Sequence, residues 1–246
     1  MSDPKVVVLL SAGIHPVSGR ARMAPGDARA LEMALRLSPH PIALHVGDSS
    51  NTGLRDYLGM GLDTIEVIGT WTDGDDIVPT LGERLSQLNP DLVLTGMAAD
   101  AGEASGMVPY LLAHGLGIRH VSSIASIDAI EAGEAIVVQA YRGAPRRRLA
   151  VSLPAVISAS ELAPAPRARA FARSRRGTLH ATIGIVAKDH EAASWTRTPA
   201  RRRPKKITAG QVSGDSAPLV GLTPNEAAHR ILDFLRDKNI IQESGQ

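Results

Sequence analysis

The residues with the strongest claim to chemistry lie between Asp91 and Gly117, in the stretch DLVLTGMAADAGEASGMVPYLLAHGLG. Leu92, Val93 and Leu94 form a short apolar run of the kind that becomes a buried parallel strand. From Gly96 to Gly106 the residues are mostly small or acidic. An apolar helix follows, with Met107, Val108, Leu111 and Leu112 at helical spacing. A strand that ends in a glycine-bearing loop and opens a helix presents free backbone N–H groups at a helix N-terminus, where phosphate is favoured. Ligands of open α/β sheets also sit beyond the carboxyl ends of strands. The pattern reads as a nucleotide pocket or as an ordinary strand-to-helix connection.

Other chemistry is missing. There is no GxxxxGK[ST], GxSxG, HExxH or full GxGxxG; Gly59-Met60-Gly61 and Gly115-Leu116-Gly117 are too short to count. The absence of cysteine excludes disulfides, thiol nucleophiles and thiolate metal sites, and fits a reducing compartment. His40 and His45, five apart around a strand, point to opposite faces and do not share a metal. Asp73, Asp75 and Asp76 make a loop cluster that suits a cation or, more simply, a solvated turn. No acid and base are paired. Such a chain is expected to hold a cofactor rather than to make bonds, and so not to be an enzyme in its own right.

The elements that must position these residues alternate through the first half. Lys5 to Leu10 reads as a strand, and Gly26 to Leu37 as a helix behind Pro25, with Asp27 at the positive end of its dipole. Pro41 to Val46 is a strand, Asn51 to Met60 a short helix, Ile65 to Ile68 a strand and Ile77 to Leu88 a helix. Repeated βα units imply a mainly parallel twisted sheet flanked by helices, an α/β fold of the Rossmann-like, adenine-nucleotide-binding kind. His120 to Ala129, Glu134 to Arg142 and Leu149 to Ser158 are β-branched runs, expected as antiparallel strands added to that sheet. Thr223-Pro224-Asn225-Glu226 carries a capping box that opens a terminal helix with Ala227, Ala228, Ile231, Leu232 and Leu235 on one face. That helix is expected to dock on a partner or on its own core. The organisation is therefore an α/β domain over 1–162, a basic arm over 163–222 and a C-terminal docking helix over 223–246.

Charge is segregated along the chain. Residues 1–141 carry 8 Lys/Arg against 17 Asp/Glu, a net of −9, whereas 142–206 carry 16 against 3, a net of +13. A block this basic faces an acidic partner or is a solvated linker. Nucleic acid is not expected, because aromatics are only 3% and Tyr141, Phe171 and Trp195 lie far apart. No apolar run is long enough for a leader or a membrane span, so a cytoplasmic, not membrane-embedded protein is expected.

Three segments together resemble the β subunit of electron transfer flavoproteins: Ala24 to Ala34, Leu92 to Gly117, and Leu149 to Ser158 with its Leu-Pro-Ala-Val. The resemblance implies a heterodimer with an α subunit that holds most of one redox FAD. It also implies electrons taken from a flavin-dependent dehydrogenase and passed toward a membrane quinone oxidoreductase. A structural AMP in the β subunit is implied as well, lined by matching position by Leu9, Ala24, Pro25, Gly26, Asp27 and Val46. The Gly96 loop would complete that lining, with Gly96, Asp100, Gly102, Glu103, Ser105 and Gly106. Gly26, Gly96, Gly102 and Gly106 would admit phosphate close to the backbone, and Ser105 would add a hydroxyl. Asp100 and Glu103 suit phosphate only if they face ribose or order the loop.

The family's partner-recognition arm corresponds to Pro166-Arg167, Phe171, Arg173, Arg175 and Arg176, with Phe171 either plugging a dehydrogenase pocket or folding back on its own sheet. The chain departs from the family pattern where Met97-Ala98 replace a Lys-Gln and where Ala24 and Gly26 replace an Asn and a Phe around Pro25. A stand-alone adenine-nucleotide sensor or hydrolase-like protein of the same architecture is the alternative.

Overall fold

The computed structural model describes residues 4–69, 75–100, 102, 104–184, 187–188, 220–238 and 240–241. In chain order the elements are β1 (Val6–Leu9), β2 (Ala12–Ile14), β3 (Ala21–Met23), α1 (Pro25–Leu37), β4 (Ile42–Val46), α2 (Leu54–Met60) and β5 (Thr64–Ile68). They continue with β6 (Asp75–Asp76), α3 (Ile77–Leu88), β7 (Leu92–Gly96), α4 (Val108–Leu116), β8 (Arg119–Glu131), β9 (Glu134–Gln139) and β10 (Arg147–Ser152). The last are β11 (Ala155–Ala159), α5 (Phe171–Arg176), β12 (Thr178–Thr182), β13 (Ala187–Lys188) and α6 (Pro224–Asp237).

β1 shows why the sheet is two-faced. Val6, Val7 and Val8 are all buried, as a continuous apolar run demands in a parallel interior strand. Alternation then divides its side chains. Val6, Val8 and Leu10 pack with Ala28, Leu31 and Ala34 of α1 and with Leu58 of α2. Val7 and Leu9 pack with Leu81 and Leu85 of α3 and with Leu112 of α4. Helices thus cover both faces of one nine-stranded sheet of order β10-β9-β8-β11-β7-β1-β4-β5-β12. β1, β4, β5, β7, β8, β11 and β12 run parallel, so the stretch read as an antiparallel strand from His120 joins the parallel set, and only β9 and β10 extend the sheet beyond it through antiparallel pairings. The chain winds one way from β1 through β4 to β5 and then returns to place β7 on the other side of β1. The β1/β7 border is therefore the switch point of the sheet.

The mainly parallel, helix-flanked sheet with an added hairpin is as expected, and three further local readings change. Leu149 to Ser158 is not one antiparallel strand. It breaks at the cis Leu153–Pro154 bond into β10, antiparallel to β9, and β11, which inserts parallel between β7 and β8. Pro154 has no N–H to give a ladder, so the chain changes partners there. Between the first strand and the first helix, where the sequence offered no element, a hairpin forms, β2 against β3. The stretch 163–182, without a clear period in the sequence, carries α5 and then β12, which extends the sheet in parallel beside β5.

The described residues fall into two compact units, one within 1–195 and one within 196–246. In the second, Thr223 accepts from the Glu226 N–H and the Glu226 side chain accepts from Thr223, the capping box read from the sequence. No residue of α6 is buried, and Ile231 and Phe234 are exposed. Among the described residues no helix is long and apolar enough to cross a membrane.

Candidate functional site

At the switch point, Asp27 joins the two strands. Its Oδ2 accepts from the Ser11 N–H at 2.6 Å, just past the end of β1, and from the Ser11 hydroxyl. Its Oδ1 accepts from the Gly96 N–H at 2.9 Å, at the end of β7. Burial pushes the Asp27 carboxyl up to about 6, against the pull of these hydrogen bonds, and the charge of Asp100 adds a smaller upward push. Gly96 is required here: a Cβ would lie 2.4 Å from Asp27 Oδ1 and 2.9 Å from Asp27 N. Gly106, at φ +73°, is similarly confined, with Met97 O 2.9 Å from where a Cβ would stand.

Tyr57 of α2 fixes the turn that leads into α1. It is fully buried. Its hydroxyl accepts from the Ala24 N–H at 2.8 Å and donates to Ser11 O at 2.8 Å. Burial, with Asp27 nearby, raises its phenol well above the usual range, which keeps it a neutral hydrogen-bonding group. Beside it, His45 of β4 donates from Nδ1 to Leu10 O at 2.8 Å, and burial holds its pKa below the ordinary value.

The sequence-derived lining residues are placed around the switch point in different ways. Leu9 and Ala24 are buried, so only their backbones can face a ligand. Pro25 and Gly26 open α1, whose N-terminus has no side-chain cap, and α4 also begins without one. Val46 is half-buried at the end of β4. Asp100 pairs with Arg22 of β3, at 2.7 Å, which partly offsets its charge and ties the loop to the hairpin. Ser105 Oγ accepts weakly from the Met107 N–H at 3.4 Å, while Gly102, at φ +75°, has open space around it. Met97 turns its sulfur to the Ser123 hydroxyl at 3.4 Å. Glu103 lies outside the described residues, as does Asp73 of the acidic cluster. Asp76 instead caps α3, accepting from the Val78 N–H at 2.9 Å. Among the described residues no cluster of metal-binding side chains forms.

The segment after β11 is strapped along α1 and α2. Arg29 donates to Ala163 O. Arg167 Nε meets Glu32 at 2.7 Å, and Arg36 meets the same carboxylate at 2.9 Å. Burial pushes the Glu32 carboxyl up, but the hydrogen bonds from Arg167 and Arg36 outweigh it and hold it below the usual range. Arg169 pairs with Asp56 at 2.6 Å. The Ala170 N–H donates to Gly59 O at 2.9 Å, and Arg55 donates to Ser174 O at 3.2 Å. Arg167 is therefore held on α1. Phe171 is 79% exposed at the start of α5 and does not fold back onto the sheet. Arg173, Arg175 and Arg176 are exposed on the same helix.

The contacts of Ser11, Arg22, Tyr57, Glu32 and Asp56 around this site were not legible in the sequence. Their partners lie far away in sequence, and no motif encodes them. The nearest signal was Tyr57, one of three tyrosines, on the apolar side of a short helix.

Fold and site define a class: an open α/β protein whose switch point is bordered by Asp27, Gly96 and the uncapped N-terminus of α1. The comparisons with known proteins narrow it. Residues 15–181 match the electron transfer flavoprotein domain. Over 97% of its length the chain is 39% identical to the electron transfer flavoprotein subunit beta of Chromohalobacter salexigens, covering 96% of that protein. It is also 32% identical to the subunit of the same name from Syntrophomonas wolfei, over 54% of this chain and 55% of that one. The chain belongs to the electron transfer flavoprotein family, on its β-subunit side.

Proposed function

We propose that this chain is the β subunit of a heterodimeric electron transfer flavoprotein. It braces an α subunit that holds most of the FAD, receives electrons through that flavin from a flavin-dependent dehydrogenase, and serves their passage toward a quinone oxidoreductase. It works by positioning and makes no bonds itself. The observation that carries this reading is the 39% identity to a β subunit over 97% of the chain.

The residues present fit an adenine nucleotide such as AMP. Two helix N-termini without side-chain caps open beside Gly96, a position where any Cβ would collide with Asp27. Arg22 pairs with Asp100, which partly offsets a charge that would repel phosphate. Backbone groups of Gly26, Asp27 and the loop 97–107 would hold the phosphate, and the backbones of Leu9, Ala24 and Val46 would border the rest. A bound nucleotide would supply structural contacts across the β1/β7 border. The strap presents Phe171, Arg173, Arg175 and Arg176 as the surface for the dehydrogenase. The domain limits at 162 and 222 belong to the same proposal.

Co-expression with a family α subunit tests it, followed by purification through this chain, an absorption spectrum and nucleotide analysis. A yellow heterodimer with flavin in stoichiometric amount, releasing AMP on denaturation, is the expected result. A folded, colourless chain that purifies alone overturns the carrier reading and favours a stand-alone nucleotide binder.

A further inference from the structure

On the sheet face opposite α1, a chain of hydrogen bonds crosses three strands beneath α4. Thr95 Oγ1 donates to Gly96 O at 2.8 Å. Ser158 Oγ lies 3.0 Å from Thr95 Oγ1, and His120 Nε2 lies 2.9 Å from Ser158 Oγ. Thr95 and Ser158 are buried, and His120 is half-buried. Proton inventory fixes the direction of the chain. A carbonyl only accepts, so the Thr95 hydroxyl proton is committed to Gly96 O. Ser158 must then donate to Thr95, and His120 must donate from Nε2–H to Ser158. The ring of His120 also packs edge-on against Tyr110 of α4, with centroids 4.2 Å apart at 63°.

Gly96 and Tyr110 lie on either side of the loop 97–107; His120 touches Tyr110 directly and connects to Gly96 only through Ser158 and Thr95. Gly96 itself is held from two faces: its N–H by Asp27 from the α1 side, its carbonyl by Thr95 from the α4 side. That carbonyl belongs to the Gly96–Met97 peptide. Aligned donors behind it polarise the peptide cooperatively and strengthen the Met97 N–H as a donor to an anion.

We propose that His120 is a positioning residue: acting through Ser158 and Thr95, and through Tyr110, it clamps both ends of the loop and orients the Gly96–Met97 peptide toward the phosphate of a nucleoside monophosphate. This rests on the nucleotide reading of the crevice. The known side-chain signals for such a site, a P-loop lysine or serine, are replaced here by a relay that acts on the backbone.

The test uses the full-length chain, alone and in its complex with an α subunit, with AMP and adenosine as probes and calorimetry as the readout. Thr95→Val and His120→Leu should each weaken AMP about tenfold, the size of one charge-assisted hydrogen bond, while adenosine changes by less than about twofold. Thr95→Ser and His120→Gln, which keep the donors, should restore AMP binding; a packing defect would not show that split. The Met97 amide resonance should also move on Thr95→Val before any nucleotide is added. Wild-type AMP binding together with an unchanged affinity and an unmoved Met97 amide in Thr95→Val overturns the clamp and leaves the site standing. A wild type that binds neither probe, with a Met97 amide that still moves in Thr95→Val, keeps the relay to the peptide and overturns the nucleotide reading.

Discussion

Asp27 carries the clearest consequence at the scale of single residues, because one buried carboxylate holds the ends of β1 and β7 together. Its pKa is raised from 3.8 to about 6, so the folded protein holds the proton more tightly than the unfolded chain. Stability from this group is fully present below about pH 4 and is lost as pH rises through about 6. A shift of this size corresponds to at most about 3 kcal/mol. Asp27→Asn is neutral at every pH, and its amide places an NH2 group against the Ser11 or Gly96 donors, a cost of about 1–3 kcal/mol. Urea unfolding of both proteins should show a wild-type advantage that is largest near pH 4 and shrinks by about 2–3 kcal/mol toward pH 7. A difference that does not vary with pH would mean that the hydrogen bonds, and not burial, set this carboxyl. Tyr57→Phe tests the neighbouring brace. It leaves Ala24 N–H and Ser11 O without their partner, which should cost about 1–3 kcal/mol and speed amide exchange at Ala24 well before that at the core of β1.

Among the elements, the short helix α2 links more than its length suggests. Tyr57 holds the Ala24 turn from one side. Asp56 accepts from the Met23 N–H at 3.3 Å and pairs with Arg169 at 2.6 Å, and Gly59 O receives the Ala170 N–H. The crevice turn and the strap thus share one seven-residue helix. Asp56→Ala should free Arg169 and loosen α5 locally. Trypsin cleavage at Arg173, Arg175 or Arg176 should rise about tenfold, in line with a local opening energy lower by about 1.4 kcal/mol, while the global melting temperature falls only slightly. Unchanged cleavage would show that the backbone bonds of Ala170 and Ser174 suffice.

Legibility in the sequence divides along these lines. The parallel strands were readable because burial on both faces demands unbroken apolar runs such as Val6 to Leu10 and Leu92 to Leu94. Helices α1, α3 and α6 announced themselves through Pro25, through the Leu81 and Leu85 spacing, and through the Thr223 capping box. β12 was not readable, since an edge strand with alternating exposed residues needs no apolar run. The split at Leu153–Pro154 was hidden because both halves are β-formers and only tertiary pairing separates them. The Gly96 loop showed its location through glycines, but its braces, Asp27 of α1, Tyr57 of α2 and the His120 relay across three strands, come from distant elements and leave no local pattern.

At the scale of the whole molecule, charge separates into a body of net −9 over 1–141 and a block of net +13 over 142–206. Part of the described section of that block is already committed: Arg142 pairs with Glu161, Arg148 with Asp128, Arg167 with Glu32 and Arg169 with Asp56. Arg175 and Arg176 extend exposed from α5, close in sequence to the exposed Phe171. Charges of this kind steer an encounter, whereas a buried aromatic anchor sets the lifetime of the complex. The two contributions should therefore separate kinetically against a purified flavin-dependent dehydrogenase. Arg175→Glu with Arg176→Glu should lower the association rate about tenfold at low ionic strength, and the deficit should close as salt shortens the screening length. Phe171→Ala should leave the association rate nearly unchanged and raise the dissociation rate by about tenfold or more. Neither change should move the melting temperature by more than a degree or so, because exposed substitutions of this kind cost little stability. If both variants altered only the dissociation rate, α5 would be a contact surface without a steering role. The described arginines that follow β11 would then serve to strap that segment to α1 and α2, as Arg167 and Arg169 already do.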